Sequence, residues 1–242
     1  MDVSPKTRLL ILQATPFCNL NCGYCYLSLS ERSANVRMEY GVVEKSIQFL
    51  VRNNLLGDRL TVLWHAGEPL TIPVGYYRDA IKQIRNLLPN EMKVDFNFQT
   101  NATLVTDEWC DLFVDEPFSI GVSIDGPKEV HDGYRVSRTG RGSFESAMNG
   151  IAHLRERKIP FGTISVVTDK SLEQAREIIE FLSNLDPVSI GFNIDEAEDT
   201  VSGARFSERL VESSSLCQSF TVGSKKMTKQ VSAVKSETSW SV

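Results

Sequence analysis

The sequence of 242 residues has no long hydrophobic run, no excess of basic residues and few cysteines. No apolar stretch approaches the roughly 20 residues that span a bilayer, which argues against an integral membrane protein. The net charge is −5, from 26 basic and 31 acidic residues, and argues against a dedicated binder of nucleic acid or anionic membranes. Residues 1–6 lack the basic and then apolar order of a secretory signal. We therefore expect a soluble, cytoplasmic protein.

The five cysteines fit a disulfide framework poorly, because their number is odd and their placement is uneven. Cys18, Cys22 and Cys25 lie within eight residues, whereas Cys110 and Cys217 are isolated. In a reducing compartment, such a tight cluster more often holds a metal or takes part in chemistry. We interpret Cys110 as a core or half-buried thiol rather than a ligand, and Cys217 as an incidental exposed thiol.

Short β-branched runs alternate with helical patterns along most of the chain. The strand-like runs are 8–13, 60–64, 93–98, 118–123, 161–167 and 188–194. Several are apolar almost throughout, as is typical of strands covered on both faces. This alternation predicts an α/β fold with a parallel sheet, and we prefer a partial (β/α)6 barrel to a flat doubly wound sheet, although periodicity alone does not choose.

Amphipathic stretches with a period near 3.6 separate the predicted strands. The last of them carries Leu172, Ala175, Ile179 and Leu182 on one face. Ser171 with Gln174 is predicted to form its capping box.

The composition changes near residue 200. Residues 213–242 contain nine serines and four lysines, with no convincing helical or strand pattern. We therefore expect a barrel core over residues 1–199, and a Ser/Lys-rich tail over 200–242 that is flexible or belongs to a truncated extension.

Polar and thiol groups follow the predicted strands at their carboxyl ends. The segments concerned are 18–25, 65–69, 99–101, 123–126 and 193–196. In a parallel (β/α) sheet these ends meet at one edge. A single functional site at that edge is the simplest interpretation.

The cysteine spacing has competing interpretations. Positions i, i+4 and i+7 share one helix face, but Pro16, Asn19, Asn21 and Gly23 favour a loop. Structural zinc usually takes four ligands, and because no second Cys or His pair is present, His65 would have to serve alone. Three thiolates suit an iron–sulfur cluster with one open iron, since a four-iron cluster normally takes four cysteines.

The motif Cys18-x3-Cys22-x-Tyr24-Cys25 resembles the cluster motif of radical S-adenosylmethionine (SAM) enzymes, and the resemblance extends from about residue 8 to residue 196. The segments 64–69, 99–101, 123–127 and 134–135 are similar to the peptide-modifying branch. That branch includes anaerobic sulfatase maturases and maturases of ribosomally made peptides. The segment 192–196 favours the latter, in particular those that cross-link side chains.

The resemblance implies that Cys18, Cys22 and Cys25 each bind one iron of a [4Fe–4S] cluster, and that SAM chelates the fourth. Tyr24 would lie against the adenine side of the site. Ala66 stands where the family commonly has a glycine. If its φ is positive, alanine costs about 1–2 kcal/mol there.

The other implied SAM contacts, except Arg135, fall at the ends of four predicted strands. They involve the methionine ammonium, the methionine carboxylate and the ribose hydroxyls. For the ammonium, the implied residues are Ala66, Gly67 and Glu68. For the carboxylate they are Ser123 and Arg135, and for the ribose they are Asn101 and Asn193.

By the same resemblance, SAM cleavage would yield a 5′-deoxyadenosyl radical that takes a hydrogen atom from a precursor peptide or protein, leading to oxidation or cross-linking. A ferredoxin or flavodoxin would supply electrons. Asp195 and Glu196 are candidates for a general base.

Two other functions remain open at this point. The first is formylglycine formation, as in sulfatase maturases. The second is a truncated, non-catalytic module that binds SAM or a peptide, because only Cys217 follows the predicted barrel where relatives carry a cysteine-rich extension with auxiliary clusters. A structural zinc protein is a distant third.

Overall fold

Parallel strands alternate with helices in the computed structural model, which describes residues 6–116 and 118–195 and the backbone of 231–233. The strands are β1 (Thr7–Leu12), β2 (Leu56–Trp64), β3 (Lys93–Thr100), β4 (Phe118–Ser123), β5 (Phe161–Val167), β6 (Ile190–Ile194) and β7 (Val231–Ala233). The helices are α1 (Tyr40–Arg52), α2 (Val74–Leu87), α3 (Asp107–Asp115), α4 (Lys128–Asp132), α5 (Phe144–Glu156), α6 (Asp169–Leu172) and α7 (Ala175–Asn184). Six of these strands match the predicted ones.

The strand order in the sheet follows the chain order from β1 to β6, and every neighbouring pair is parallel. In a doubly wound sheet the order reverses at a switch point, which does not happen between β1 and β6. Right-handed crossovers that always step in the same direction place the helices on one side of the sheet. This topology agrees with the predicted partial (β/α)6 barrel.

The two sides of the sheet differ in burial. On β2, Leu60, Val62 and Trp64 are fully buried on the helix side, whereas the alternate residues are only half-buried. Leu9 and Ile11 of β1 are 50% and 54% exposed. The prediction that the strands are covered on both faces is therefore wrong, because the described helices cover one side only. The other side, which we call the concave face, contains Leu9, Ile11, Thr61, Leu63, Asn97, Gln99, Gly121, Ser123 and Ile164.

An aromatic cluster fixes α2 and α3 against the sheet. The Tyr77 ring centroid lies 5.1 Å from that of Trp64 and 4.9 Å from that of Phe98. The Trp109 ring of α3 lies 5.9 Å from Phe98. Aromatic pairs at such distances add about 0.5–1.5 kcal/mol each to the free energy of burial. Cys110, next to Trp109, is fully buried, which confirms its prediction as a core thiol.

The segment after β5 differs from the prediction. The Thr168 and Ser171 side chains accept hydrogen bonds from each other's main-chain N–H groups, so the capping box lies three residues before the predicted one at Ser171 and Gln174. The short helix α6 separates this cap from α7. The break shifts the helical phase, so that Ile178 is buried and Ile179 only half-buried.

Most of the predicted tail lies outside the described residues. The exception is β7, whose backbone pairs in parallel with β6. The sequence did not predict this strand because three residues are too short to show a period. Within the described part of the chain, every helix is too short or too polar to reach across a bilayer.

Helix α5 packs very closely on the loop that follows β3. A Cβ atom added at Gly150 would lie 1.9 Å from the Ala102 carbonyl oxygen. We expect Gly150→Ala to lower the free energy of unfolding by about 1–3 kcal/mol, as overpacking does. The measurement is urea unfolding of the metal-free protein, followed by circular dichroism.

The matched control is Gly75→Ala. Gly75 is an exposed residue in the first turn of α2, and nothing lies within 4 Å of its added Cβ. That change should stabilise the protein by about 0.5–1 kcal/mol, because alanine favours a helix. Equal effects of the two substitutions would contradict the close packing.

Candidate functional site

The three clustered cysteines lie on a loop after β1, and all of them are half-buried free thiols. Residues 13–25 form turns, bends and one isolated bridge rather than a helix. The predicted loop is therefore confirmed, and Cys18, Cys22 and Cys25 do not share the face of a regular helix.

The cysteine loop pairs with the segment 134–136. The main-chain N–H groups of Asn21 and Gly23 donate to the carbonyl groups of Val136 and Tyr134, at 2.7 and 2.9 Å. An isolated antiparallel bridge continues this pairing from Leu20. The pairing fixes the cysteine loop beside the segment that carries Arg135.

Two arginines bind the carbonyl groups of the cysteines. Arg138 Nη1 donates to the Cys18 carbonyl at 2.8 Å, and its guanidinium lies 5.2 Å from the Phe17 ring centroid. Arg32 Nη1 donates to the Cys22 carbonyl at 2.9 Å. These charge-assisted bonds hold the backbone of two cysteines in place.

The donor set of three free thiols fits an iron–sulfur cluster. Among the described residues, no group of three or more His, Cys, Asp and Glu side chains is arranged around one metal-ion position. In a cluster, each cysteine binds a different iron. Also within this described part, the buried atoms Asn21 Oδ1 and Arg32 Nε have no hydrogen-bond partner. One acceptor and one donor next to Cys22 can therefore still form a hydrogen bond.

Protonation opposes metal binding at this loop. Burial raises the pKa of the Cys18 thiol to about 12 and also raises the pKa of Cys22. Because the thiolate is the metal ligand, cluster binding must release these protons.

The motif after β2 packs directly on the cysteine loop. Ala66 and Gly67 have φ angles of 70° and 60°, so the positive φ considered for Ala66 is present. A Cβ added at Gly67 would lie 2.4 Å from the Thr15 carbonyl oxygen and 2.7 Å from that of Phe17. The Glu68 N–H donates to the same Phe17 carbonyl at 2.8 Å. Only glycine fits at position 67.

The Glu68 carboxylate is buried and largely occupied by the protein itself. It accepts hydrogen bonds from the Leu70 N–H at 2.9 Å, the Thr100 hydroxyl at 2.7 Å and the Asn101 N–H at 2.7 Å. Burial raises the pKa of Glu68 to about 7, against the effect of these donors. Glu68 thus joins the ends of β2 and β3, with at most one acceptor position free for a ligand.

Asp125 and Arg135 form a buried ion pair, with 2% and 7% of their surfaces exposed. Arg135 Nε and Nη2 donate to the two carboxylate oxygens at 3.0 and 3.1 Å. The Tyr24 hydroxyl and the Val166 N–H also donate to this carboxylate. Burial alone lowers the pKa of Arg135, but the Asp125 charge outweighs that effect and raises it, so the guanidinium stays charged.

Tyr24 belongs to the same group. The Arg135 guanidinium lies 5.4 Å from the centroid of the Tyr24 ring. The Tyr134 ring stacks on the Tyr24 ring, with 5.5 Å between the two centroids. The cysteine loop is therefore joined to the ion pair through the residue next to Cys25.

His131 fixes the loop that carries Arg135. The Asp125 N–H donates to His131 Nδ1 at 3.4 Å, so Nε2 carries the ring proton and donates to the Ser143 hydroxyl at 3.0 Å. The Ser143 hydroxyl in turn donates to the Arg135 carbonyl at 2.7 Å. Burial lowers the pKa of His131 to about 4, which keeps the ring neutral and this direction of donors intact.

The remaining predicted residues occupy the other strand ends. Ser123 is half-buried and accepts a hydrogen bond from Gln99 Nε2 at 2.9 Å. Asn193 is exposed at the end of β6. Asp195 is half-buried, and burial raises its pKa, with a contribution from Asp169. Glu196 lies outside the described residues.

Asn101 is buried next to the first cysteine. Its Nδ2 atom lies 2.9 Å from Asn19 Oδ1 and 3.9 Å from Cys18 Sγ. The Thr103 N–H donates to Asn101 Oδ1 at 3.0 Å. The predicted ribose ligand is thus engaged within the protein.

The sequence did not identify four residues that organise the site, which are Asp125, Arg32, Arg138 and Thr103. Asp125 directly follows a predicted strand and stands ten residues before Arg135 in the sequence, and this position was a usable signal. Neither arginine had one, because each acts on a main-chain carbonyl group.

Comparisons with known proteins identify the family of the chain. A family model described as the radical SAM superfamily matches residues 12–182. An uncharacterised protein of Synechocystis sp. is 36% identical over 196 residues, which are 79% of this chain and 49% of that protein. The serine-type anaerobic sulfatase-maturating enzyme of Bacteroides thetaiotaomicron is 33% identical over 190 residues, or 76% of this chain and 45% of that enzyme. The chain spans about half the length of these curated relatives.

Solved structures share the fold. The structure of anSMEcpe with bound AdoMet has a TM-score of 0.71 and 24% identity, and the match covers 78% of this chain and 51% of that one. Streptococcus suis SuiB bound to precursor peptide SuiA has a TM-score of 0.66 and 15% identity, with 95% and 48% covered. The predicted partial barrel, a half-barrel of six parallel strands, is confirmed.

The buried ion pair makes a testable contribution to stability. We expect Asp125→Asn to lower the free energy of unfolding by about 3–5 kcal/mol, because it leaves the Arg135 charge buried without its partner. Asp115→Asn removes an exposed ion pair with Arg78, which is 2.8 Å long, and should cost at most about 1 kcal/mol.

Both variants are measured by urea unfolding of the metal-free protein. Losses of the same small size would show that Asp125 does not hold the site together.

Proposed function

The chain belongs to the radical SAM superfamily, and we propose that it cleaves SAM reductively and directs hydrogen abstraction from a precursor peptide or protein. SAM and an iron–sulfur cluster are the cofactors of this superfamily. The observation that carries the proposal is the loop of three free thiols, because it lies within the matched segment 12–182 and meets the polar ends of β2, β3 and β4.

We assign Cys18, Cys22 and Cys25 to three irons of a [4Fe–4S] cluster. When bound and reduced, such a cluster supplies the electron that breaks a bond of the SAM sulfonium. The protein's part is to hold the thiolates, which Arg32 and Arg138 support through the carbonyl groups of Cys22 and Cys18.

The residues around the ion pair are proposed to bind SAM. Two of the five N–H groups of Arg135 donate to Asp125, so the others remain for the SAM carboxylate. Ser123 is the second candidate for that carboxylate. The Tyr24 ring would contact the adenine, and Asn193 stays the candidate for the ribose.

The motif after β2 is proposed to receive the methionine ammonium. Ala66 and Gly67 would offer carbonyl groups, and Glu68 supplies negative charge close by. A cation in a partly dry pocket needs such acceptors. Because Glu68 already accepts three hydrogen bonds, its main contribution is to fix the backbone of this motif and the end of β3.

The substrate is proposed to be a peptide or a protein segment that reaches the concave face. Half-buried residues such as Leu63, Gln99 and Ser123 leave this face accessible. The names of the sulfatase-maturating relatives and the peptide bound to SuiB support a substrate of this class. Asp195 and Glu196 remain candidates for the base, and a ferredoxin or flavodoxin for the electron donor.

Formylglycine formation is the second candidate function. The observation in its favour is the 33% identity to a serine-type sulfatase-maturating enzyme. Mass spectrometry of sulfatase-derived and precursor peptides after turnover distinguishes an oxidised serine or cysteine from a cross-link.

The proposed function is tested by SAM cleavage. Protein reconstituted anaerobically with iron and sulfide, then reduced with dithionite, should release 5′-deoxyadenosine, which is measured by liquid chromatography and mass spectrometry. Cys18→Ala should bind less iron and abolish the release. Cys110→Ala should keep both, because that thiol belongs to α3 and is buried in the core.

Two outcomes would contradict the proposal. An iron-loaded, reduced protein that binds SAM without releasing 5′-deoxyadenosine would be a non-catalytic module. Loss of iron in Cys110→Ala, but not in Cys18→Ala, would show that the ligand set is wrong.

A further inference from the structure

We propose that Asn101 is a positioning residue for the first cysteine ligand and donates an N–H hydrogen bond to the Cys18 sulfur that raises the reduction potential of the cluster. The inference rests on the proposed function, because it concerns the thiolate form of Cys18. Asn101 Nδ2 lies 3.9 Å from Cys18 Sγ, and Asn101 is buried at the end of β3.

Thr103 determines which end of the Asn101 amide faces the sulfur. A main-chain N–H only donates, so the Asn101 atom that lies 3.0 Å from Thr103 N is the oxygen Oδ1. The Thr103 hydroxyl donates to the same oxygen at 2.7 Å. The amide nitrogen is therefore on the side of Cys18, and the flip that often leaves amides ambiguous is settled here.

Asn19 accounts for the remaining hydrogen-bonding capacity. Asn101 Nδ2 donates one hydrogen to Asn19 Oδ1 at 2.9 Å, and Asn19 Nδ2 donates to the Thr103 hydroxyl at 2.8 Å. Three side chains thus form a closed ring that leaves the second Nδ2 hydrogen of Asn101 for sulfur. Both lone pairs of its oxygen are used, so this geometry favours a role towards Cys18 over the ribose contact that the resemblance implied.

The backbone of Asn101 is fixed as well. Its N–H donates to Glu68 Oε2 at 2.7 Å, and Thr100 binds the other oxygen of that carboxylate. A side chain held at both ends keeps its donor in one place, which a ligand-supporting hydrogen bond requires.

A second donor converges on the same sulfur. The Leu20 N–H lies 3.4 Å from Cys18 Sγ. Hydrogen bonds to cluster sulfurs favour the reduced state, which carries one more negative charge, and so raise the reduction potential. Of the two donors, only the Asn101 amide is a side-chain group and can be removed by substitution.

The test is the midpoint potential of the cluster, measured without SAM by redox titration followed by electron paramagnetic resonance. Asn101→Asp keeps the shape but replaces the donor by an acceptor. We expect the equilibrium constant for reduction of the cluster to fall about tenfold. For one electron, this corresponds to a midpoint potential that is about 59 mV more negative. Asn101→Ala should shift the potential in the same direction by less.

The control is Asn149→Ala, which changes an exposed residue of α5 and should leave the potential unchanged. A ribose contact has no effect in a titration without SAM, so the measurement separates the two roles of Asn101. An unchanged potential in Asn101→Asp with an intact cluster would overturn the inference.

If Asn101→Asp assembles no cluster, the midpoint potential of Asn101→Ala tests the inference instead. An unchanged potential in that variant would overturn it. Wild-type protein that takes up no cluster would overturn the proposed function and this inference together. Wild-type protein that cleaves SAM, with variants of unchanged potential, would overturn this inference alone.

Discussion

The buried ion pair between Asp125 and Arg135 connects the parts of the candidate site. Its carboxylate accepts hydrogen bonds from Tyr24 in the cysteine loop and from Val166 in β5. Taking two charges out of water costs several kcal/mol each, and further hydrogen bonds must satisfy them. Because these bonds come from separate segments, the loop, β4 and β5 are held in one arrangement.

The order of the strands explains why these segments meet. Each parallel strand from β1 to β6 lies beside the next in the chain, so the loops at their carboxyl ends form one continuous edge. The described helices cover only one side of the sheet, and among the described residues the concave face is accessible. The same topology therefore provides both a place for the cofactors and a surface for a substrate.

Much of the fold followed from the sequence, because strand and helix periods are local properties. The phase of α7 did not, since a cap at Thr168 and a break before α7 moved Ile178 into the core. In the site, the cysteine loop was predictable from residue types, and the possible strain at Ala66 followed from the family resemblance. The hydrogen-bond partners of Asp125 and the amide orientation of Asn101 were not predictable, because they depend on residues from other segments.

The central proposal is that three protein sulfurs would bind a cluster and leave one iron open for SAM. The most direct measurement is the electron paramagnetic resonance spectrum of the reduced, reconstituted protein before and after SAM is added. We predict that SAM changes the spectrum, because under the proposed function it would become a ligand of the open iron. A cluster with a spectrum that is identical with and without SAM would contradict the claim.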